Sequence, residues 1–256
     1  MGRVSAAGGF TLVEMAVVMV VMGLIMLTVL PALSIMRGAN ERELTQSNLH
    51  SLIIATAAYV QANGCLPCPA NPASGGTNFG VVGTGSACGT CMAPEGIPPF
   101  VSLGVPASVA HDGWHHWITM RVDPALTANF GIKPPTGSAG LCASGLSTTN
   151  RIAVTTPGGA TQQAAVIFIS HGKDGYGSFF AQASPSMNNG ARLPFYGSYA
   201  ACSVSSGYAR CNADGNTQFY DATDTEGSDT YDDMLAYASR NALVATFGNA
   251  SCQTTW

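Results

Sequence analysis

The feature that most limits how this 256-residue chain folds is an uncharged apolar run near its N-terminus, the sixteen residues from Met15 to Leu30. With its flanks, from Phe10 to Met36, the segment has 27 residues, which as an α-helix would be about 40 Å long. A helix of that length is able to cross a bilayer. The sequence therefore predicts a transmembrane helix over 10–36.

The residues before this run have the order opposite to that of an ordinary secretory signal. Residues 1–9 carry one positive charge, Arg3, and end in the small pair Gly8-Gly9. In a secretory signal the small-residue cleavage site follows the apolar stretch, so that cleavage removes it. Cleavage after Gly9 would instead leave the helix on the mature protein, so we expect 1–9 to be a leader peptide and the chain to be exported with its anchor retained.

Glu14 is a second unusual feature, because a carboxylate in an apolar helix is costly and usually marks a partner. If Phe10 becomes the new N-terminus, Glu14 lies one helical turn from a free ammonium group. In a staggered stack of parallel helices, Glu14 of one subunit would then meet the Phe10 amine of the next, which pairs two charges otherwise left alone. The alternative is a hydrated glutamate at the membrane interface with no role.

The segment Gly9-Phe10-Thr11-Leu12-Val13-Glu14 resembles the processing and methylation signature of type IV pilins and type II secretion pseudopilins. Gly8-Gly9 with Arg3 is similar to the short basic leader of these proteins. The resemblance implies cleavage between Gly9 and Phe10 by prepilin peptidase, methylation of the Phe10 amine, and a role for Glu14 in assembly. It also places Gly23 and Pro31 where the family often has helix-weakening residues.

The function implied by this resemblance is structural rather than enzymatic. The chain would be a subunit of a type IV pilus-like or type II secretion pseudopilus filament, with like or related pilin subunits, the peptidase and methyltransferase, and the inner membrane as partners. Its location would be the inner membrane, as a single-pass protein with its head in the periplasm, and then the filament. The length of the chain favours a minor or atypical member, and secretion pseudopilin and minor type IV pilin stay equal alternatives.

Beyond the apolar run, residues 37–63 predict an amphipathic continuation of the helix that ends near Asn63-Gly64. Its apolar positions recur at spacings of three and four and should pack on a sheet: Leu44, Leu49, Leu52, Ile53, Thr56, Tyr59 and Val60.

Residues 64–256 predict a loop-rich α+β head, in which a small antiparallel sheet packs on the long helix. Residues 64–110 lack any helical or strand period and indicate a long ordered loop. Alternation predicts a strand over 114–122, and a hairpin that pairs 151–156 with 164–170 around a turn at 157–159. Residues 231–244 indicate a final strand or a short helix.

Two segments of the head resemble the sheet region of the major type II secretion pseudopilin. They are Asp112-Gly113-Trp114 and the stretch from Ile169 to Gly175. His115-His116 departs from that pattern, which uses Gly-Asn after the tryptophan.

All eight cysteines lie beyond the apolar run, and two C-x2-C pairs, Cys65/Cys68 and Cys88/Cys91, are separated by 19 residues. In a cytosolic chain this spacing would favour zinc. For an exported chain we expect disulfides, which form in oxidising compartments. The pairing we predict joins Cys65/Cys68 with Cys88/Cys91, Cys202 with Cys211, and Cys142 with Cys252.

Charge is scarce, at 9% of residues against about a quarter in an ordinary domain, and its distribution limits the ligands. Ten basic residues cannot neutralise many phosphates, so no nucleic-acid partner is expected. Seven of the fourteen acids lie between Asp214 and Asp233 with no Lys or Arg among them. Such a loop either stays solvated or binds calcium, a device of the pseudopilin family, and no other cofactor is expected. The calcium candidates are Asp224, Glu226, Asp229, Asp232 and Asp233.

The histidines provide the competing hypothesis, a membrane-tethered periplasmic metal-binding protein or hydrolase that uses the His and Cys clusters. His111, His115 and His116 lie together near Asp112, and His171 is a fourth candidate. Adjacent residues of one strand point to opposite faces, which argues against a shared site for His115 and His116. Edge histidines beside aromatic residues are the favoured interpretation.

Overall fold

The computed structural model describes residues 11–128, 152–156, 159–180, 190–194, 208–222 and 231–245, with the backbone alone for 28–35, 208, 209, 244 and 245. The chain divides into two compact units, residues 1–42 and 43–256. Helices and largely antiparallel sheets are both present, which agrees with the α+β class predicted from the sequence.

The dominant element is helix α1, Leu12–Asn63, which has 52 residues. Its backbone continues without a break through Gly23 and Pro31, so the weakening expected at these two positions stays a prediction. The helix ends at a glycine: Gly64 has φ +76° and donates its N–H to the Val60 carbonyl at 2.8 Å. A left-handed glycine is the common way to terminate a helix, because it lacks the Cβ that would be strained there.

The prediction of a membrane-spanning helix over 10–36 has to be corrected. Across the described residues, no helix combines the length and the apolar character that a membrane crossing needs. The predicted localisation, a single-pass inner-membrane protein with a periplasmic head, is therefore wrong.

The larger sheet has four strands in the order β1-β2-β5-β7, and every neighbouring pair is antiparallel. Its strands are β1 (Glu95–Gly96), β2 (Thr119–Val122), β5 (Val166–Ser170) and β7 (Met234–Ala238). Met120 lies opposite Phe168, and Phe168 lies opposite Ala236. The last predicted segment, 231–244, contains both of its alternatives, since β7 is followed by helix α4 (Arg240–Ala245).

The smaller sheet corrects the predicted hairpin. Its order is β4-β3-β6, formed by β3 (Ile152–Thr155), β4 (Thr161–Ala164) and β6 (Gln218–Tyr220). The antiparallel partner of β3 is β4, the polar segment before Ala165, and β6 adds on the other side in parallel. The apolar strand β5, which was expected to pair with β3, belongs to the other sheet because both of its faces are buried.

The larger sheet packs against the second half of α1 on one face and against the smaller sheet on the other. Val166 and Phe168 of β5 share a core with Leu49, Leu52 and Val60 of α1. The alternate residues of β5 share a second core with the smaller sheet: Ile167 and Ile169 with Ile152, Val154 and Phe219. The period of two along a strand thus places β5 between the helix and the second sheet.

The predicted apolar stripe of 37–63 is right in its centre and wrong at its start. Leu49, Leu52, Thr56 and Val60 are buried, whereas Leu44 is half exposed. Two polar residues are buried instead, because a loop covers them. The Thr45 hydroxyl accepts the Gly113 N–H at 2.9 Å, and Asn48 Nδ2 donates to the His111 carbonyl at 2.8 Å.

The strand predicted over 114–122 is shorter than expected, since only Thr119–Val122 is extended. Asp112 folds the preceding residues into a turn: its Oδ1 accepts the N–H groups of Trp114 at 3.0 Å and His116 at 2.8 Å. Within that turn His115 has φ +70°, a left-handed conformation that L-residues adopt at a cost. The loop at 64–110 also holds more regular structure than predicted, namely β1 and the short helix α2 (Phe100–Leu103).

Two disulfides close this loop. They join Cys65 to Cys88 and Cys68 to Cys91, so the two C-x2-C motifs are linked to each other. The prediction of disulfides rather than zinc is confirmed for these four residues. Cys211, in the short helix α3 (Tyr208–Cys211), is disulfide-bonded as well. Cys142, Cys202 and Cys252 lie outside the described residues, so their pairing stays a prediction.

Candidate functional site

The N-terminus of α1 is built around Thr11 and Glu14. The Glu14 carboxylate accepts the backbone N–H of Thr11 at 2.8 Å and its hydroxyl at 2.9 Å, and the Thr11 hydroxyl oxygen accepts the Glu14 N–H at 3.3 Å. This reciprocal pattern is a capping box, which satisfies two of the N–H groups that every helix start leaves without partners. A capping role for Glu14 was not anticipated from the sequence, although a Thr three residues before a Glu is its usual signal.

The cap also explains the charge state of Glu14. Hydrogen bonds from the backbone and side chain of Thr11 hold the pKa of the Glu14 carboxyl below its ordinary value. A negative charge in the first turn is also favoured by the helix dipole. Glu14 is therefore an ionised carboxylate in the first turn of the helix. Phe10 and Gly9, the residues of the predicted cleavage site, lie outside the described residues.

The helix surface that follows Glu14 is apolar and exposed on all sides. Leu12 is 91% exposed, and the side chains from Val13 to Leu27 include no polar group after Glu14. Leu12, Val13, Ala16, Val17, Val20 and Val21 line a shallow apolar groove along one side. An exposed apolar surface of this extent is typical of a binding surface, because it loses contact with water only when another molecule covers it.

In the head, the two segments with a weaker family resemblance lie side by side. Asp112 is buried, and its Oδ2 accepts the Ser170 hydroxyl at 2.8 Å. His116 Nδ1 lies 3.1 Å from the Gly172 carbonyl oxygen and 3.7 Å from Asp112 Oδ2. The neighbouring Asp112 carboxylate raises the pKa of His116. The turn at 112–116 is thereby joined to the loop that follows β5.

Two glycines of the loop at 170–177 allow this close approach. Gly172 has φ +60°, and a Cβ there would lie 2.2 Å from Asp232 Cγ. Gly175 has φ +68°, and a Cβ there would lie 2.6 Å from the His116 ring. Both positions need glycine for conformation and for space.

His171 lies at the centre of this region in an order that resembles a catalytic triad. Its Nε2 is 2.9 Å from the Thr119 hydroxyl, and its Nδ1 is 3.7 Å from Asp233 Oδ1. Asp233 Oδ2 also accepts Asn212 Nδ2 at 2.8 Å. Thr119 and His171 are both fully buried, however, so a substrate has no access to the hydroxyl. The arrangement is a polar tie between strands, and it gives no support to the hydrolase hypothesis.

The other sequence candidates do not converge on one point. The His111 ring packs on Trp117, with 3.7 Å between the ring centres, and its Nδ1 is 2.9 Å from the Ala107 carbonyl oxygen. His115 is exposed in its turn. Among the residues that the structure describes, no three His, Cys, Asp or Glu side chains are placed to hold a metal ion. Of the calcium candidates, Asp224, Glu226 and Asp229 lie outside the described residues, so calcium binding stays a prediction.

A buried ion network that sequence reasoning missed lies at the edge of the larger sheet formed by β1. Glu95 of β1 receives Arg121 Nη1 at 2.7 Å and also pairs with Arg192. Arg121 donates to the Gly215 carbonyl at 2.8 Å, and Arg192 lies over the Phe179 ring. Burial lowers the pKa of Arg192 to about 10. The sequence signal for this ion network was Arg121, the single charge inside an apolar strand.

No family model matches the chain, and neither a curated protein nor a solved structure is detectably similar to it.

Proposed function

We propose that this protein is a structural subunit of a filament of the type IV pilus or type II secretion pseudopilus kind. In this proposal prepilin peptidase cleaves between Gly9 and Phe10, the Phe10 amine is methylated, and the chain assembles through the first half of α1. Secretion pseudopilin and minor pilin are equal alternatives within it.

The observation that carries the proposal is the exposed apolar start of α1 with an ionised carboxylate at its first turn. A helix that is apolar on all sides is stable in water only when it is covered. Packing many copies of the helix together covers it along its whole length. In the sequence this carboxylate is four positions after Phe10, where the resemblance puts a new amino group.

Glu14 would have two roles in this proposal, and they can be separated by mutation. As a capping residue it accepts hydrogen bonds from Thr11 within its own chain. As an assembly residue it would pair with the Phe10 ammonium of a neighbouring copy. Glu14→Gln keeps an oxygen acceptor for the cap and removes the charge, whereas Thr11→Ala weakens the cap and keeps the charge.

The test is expression of the full chain together with prepilin peptidase, followed by N-terminal sequencing and sedimentation of assembled material. We expect the processed chain to begin at Phe10 and to sediment. Glu14→Gln and Glu14→Ala should be processed but stay in the supernatant, because both lack the charge. Thr11→Ala should still sediment.

Two results would contradict the proposal. A chain that still begins at Met1 would show that cleavage after Gly9 does not occur. A chain that begins downstream of the apolar helix would lack the segment on which assembly depends. Normal sedimentation of Glu14→Gln would limit Glu14 to helix capping and overturn its assembly role.

A further inference from the structure

Four methionines occupy one face of the exposed half of α1. Met15, Met19, Met22 and Met26 follow the spacing i, i+4, i+7, i+11, which on an ideal helix places them within about 60° of one another. Their side chains are between 49% and 71% exposed. We call this set the methionine face.

The opposite face has a different composition. Val13, Val17, Val20, Leu24 and Leu27 follow the same spacing, about 150° from the methionine face. Valine has a single preferred rotamer in helices, whereas methionine is flexible and has an oxidisable thioether. The helix therefore has one chemically inert apolar face and one that oxidants can modify.

We propose that the methionine face is an oxidation site that controls assembly. Oxidation of these thioethers in the unassembled subunit would prevent α1 from packing against a second copy of the chain. This inference rests on the proposed function, since it concerns the contact through which the subunits would assemble.

The reaction needs only a peroxide as oxidant. The thioether sulfur attacks one peroxide oxygen, the O–O bond breaks, and the departing hydroxide takes up a proton, so that hydrogen peroxide yields one methionine sulfoxide and one water. The sulfur is oxidised by two electrons and the peroxide is reduced by two. Sulfoxide reductases reverse the change.

A second copy is the partner that this face fits, because it offers a helix of the same length with the same lack of polar groups. Between Met15 and Leu27 there is no side chain that donates a hydrogen bond, and the backbone N–H groups are used within the helix. A sulfoxide oxygen buried between two such helices would have no donor, and burying an unpaired polar group is unfavourable. Oxidation should therefore act against the assembled state.

The experiment uses the processed full chain and hydrogen peroxide. Unassembled subunits are oxidised, the sulfoxides are located by peptide mass spectrometry, and the critical concentration for assembly is measured by sedimentation. We expect oxidation at the four positions to raise the critical concentration at least tenfold, about 1.4 kcal/mol. Preassembled material should gain less sulfoxide at the same four positions.

Two variants provide matched controls. Met92 in the head is 77% exposed, so it oxidises too, and Met92→Leu should leave the sensitivity of assembly unchanged. Replacing all four methionines of the face by leucine, which has a similar volume and no sulfur, should preserve assembly and remove its sensitivity to peroxide.

The outcomes separate the two proposals. If the untreated chain does not assemble, the proposed function fails, and the inference fails with it. If the chain assembles equally well before and after full oxidation of the four methionines, only the inference is overturned. Retained sensitivity in the four-leucine variant would overturn it as well.

Discussion

Replacing Glu95 is the perturbation for which the structure gives the clearest energetic expectation in the head. The Glu95 and Arg121 side chains are 9% and 8% exposed, and their charged atoms are 2.7 Å apart. The same carboxylate pairs with Arg192. Glu95→Gln keeps the size of the side chain and removes the negative charge shared by two arginines.

The expected loss is large because the arginines stay buried when their counter-charge is removed. Breaking a buried pair by changing one partner costs about 3–5 kcal/mol. Arg121 keeps its hydrogen bond to Gly215, and Arg192 keeps its position over Phe179, which favours the lower end. We therefore expect Glu95→Gln to lower the free energy of unfolding by about 3 kcal/mol, which lowers Tm by about 10 °C in a domain of this size.

Urea denaturation of the full chain, followed by circular dichroism, measures this loss. Glu43→Gln is the matched control, since Glu43 is exposed on α1 and its replacement should change stability by less than about 0.5 kcal/mol. In the double variant Glu95→Gln/Arg121→Met, the loss should be smaller than the sum of the single losses, because the buried charge is removed along with its partner. A Glu95→Gln protein as stable as the Glu43→Gln control would refute the reasoning.

Two further predictions concern the loops of the head. Partial burial, with the nearby Asp232 and Asp233 charges, raises the pKa of the Asp174 carboxyl to about 6. The protonated carboxyl therefore favours the folded state. Its contribution to stability is complete below the ordinary pKa near 4 and is lost as the pH rises through 6. Asp174→Asn should therefore flatten the fall in Tm between pH 4 and 7, and an unchanged slope would contradict it. Removing one disulfide with Cys68→Ala/Cys91→Ala should lower the free energy of unfolding by about 2 kcal/mol. The loss is less than that of an isolated loop of this length, because the Cys65–Cys88 bridge remains three residues away at each end. A change under about 1 kcal/mol would show that the remaining bridge suffices.

The long helix and its apolar face were the parts most open to prediction, because their signal is local. Spacings of three and four placed Leu49, Leu52 and Val60 correctly on the core. The same rule failed at Leu44, which is exposed, and at Thr45 and Asn48, which are buried. Their burial depends on the loop at 108–113, more than sixty positions away, and periodicity within a helix carries no information about such a partner.

Strand pairing and the polar sites were less predictable, since both depend on distant partners. The segment β4 carries three exposed residues and lacks the alternation that identifies a strand, so β5 was mistaken for the partner of β3. Asp112 and Ser170 are 58 residues apart, and only the fold brings them together. The spacing of the C-x2-C motifs alone would have favoured zinc, and disulfides were predicted because an exported chain was expected.

The paired bridges at the end of α1 have a mechanical consequence. A pull that has separated the second half of α1 from the core reaches Gly64, one residue before Cys65. Because Cys65 is bonded to Cys88, the 22 residues between them are removed from the extensible length, about 80 Å of chain at full stretch. The second bridge repeats this constraint three residues on. Tension therefore passes through the disulfide, bypasses the glycine-rich loop and reaches the strands that follow it in the sequence.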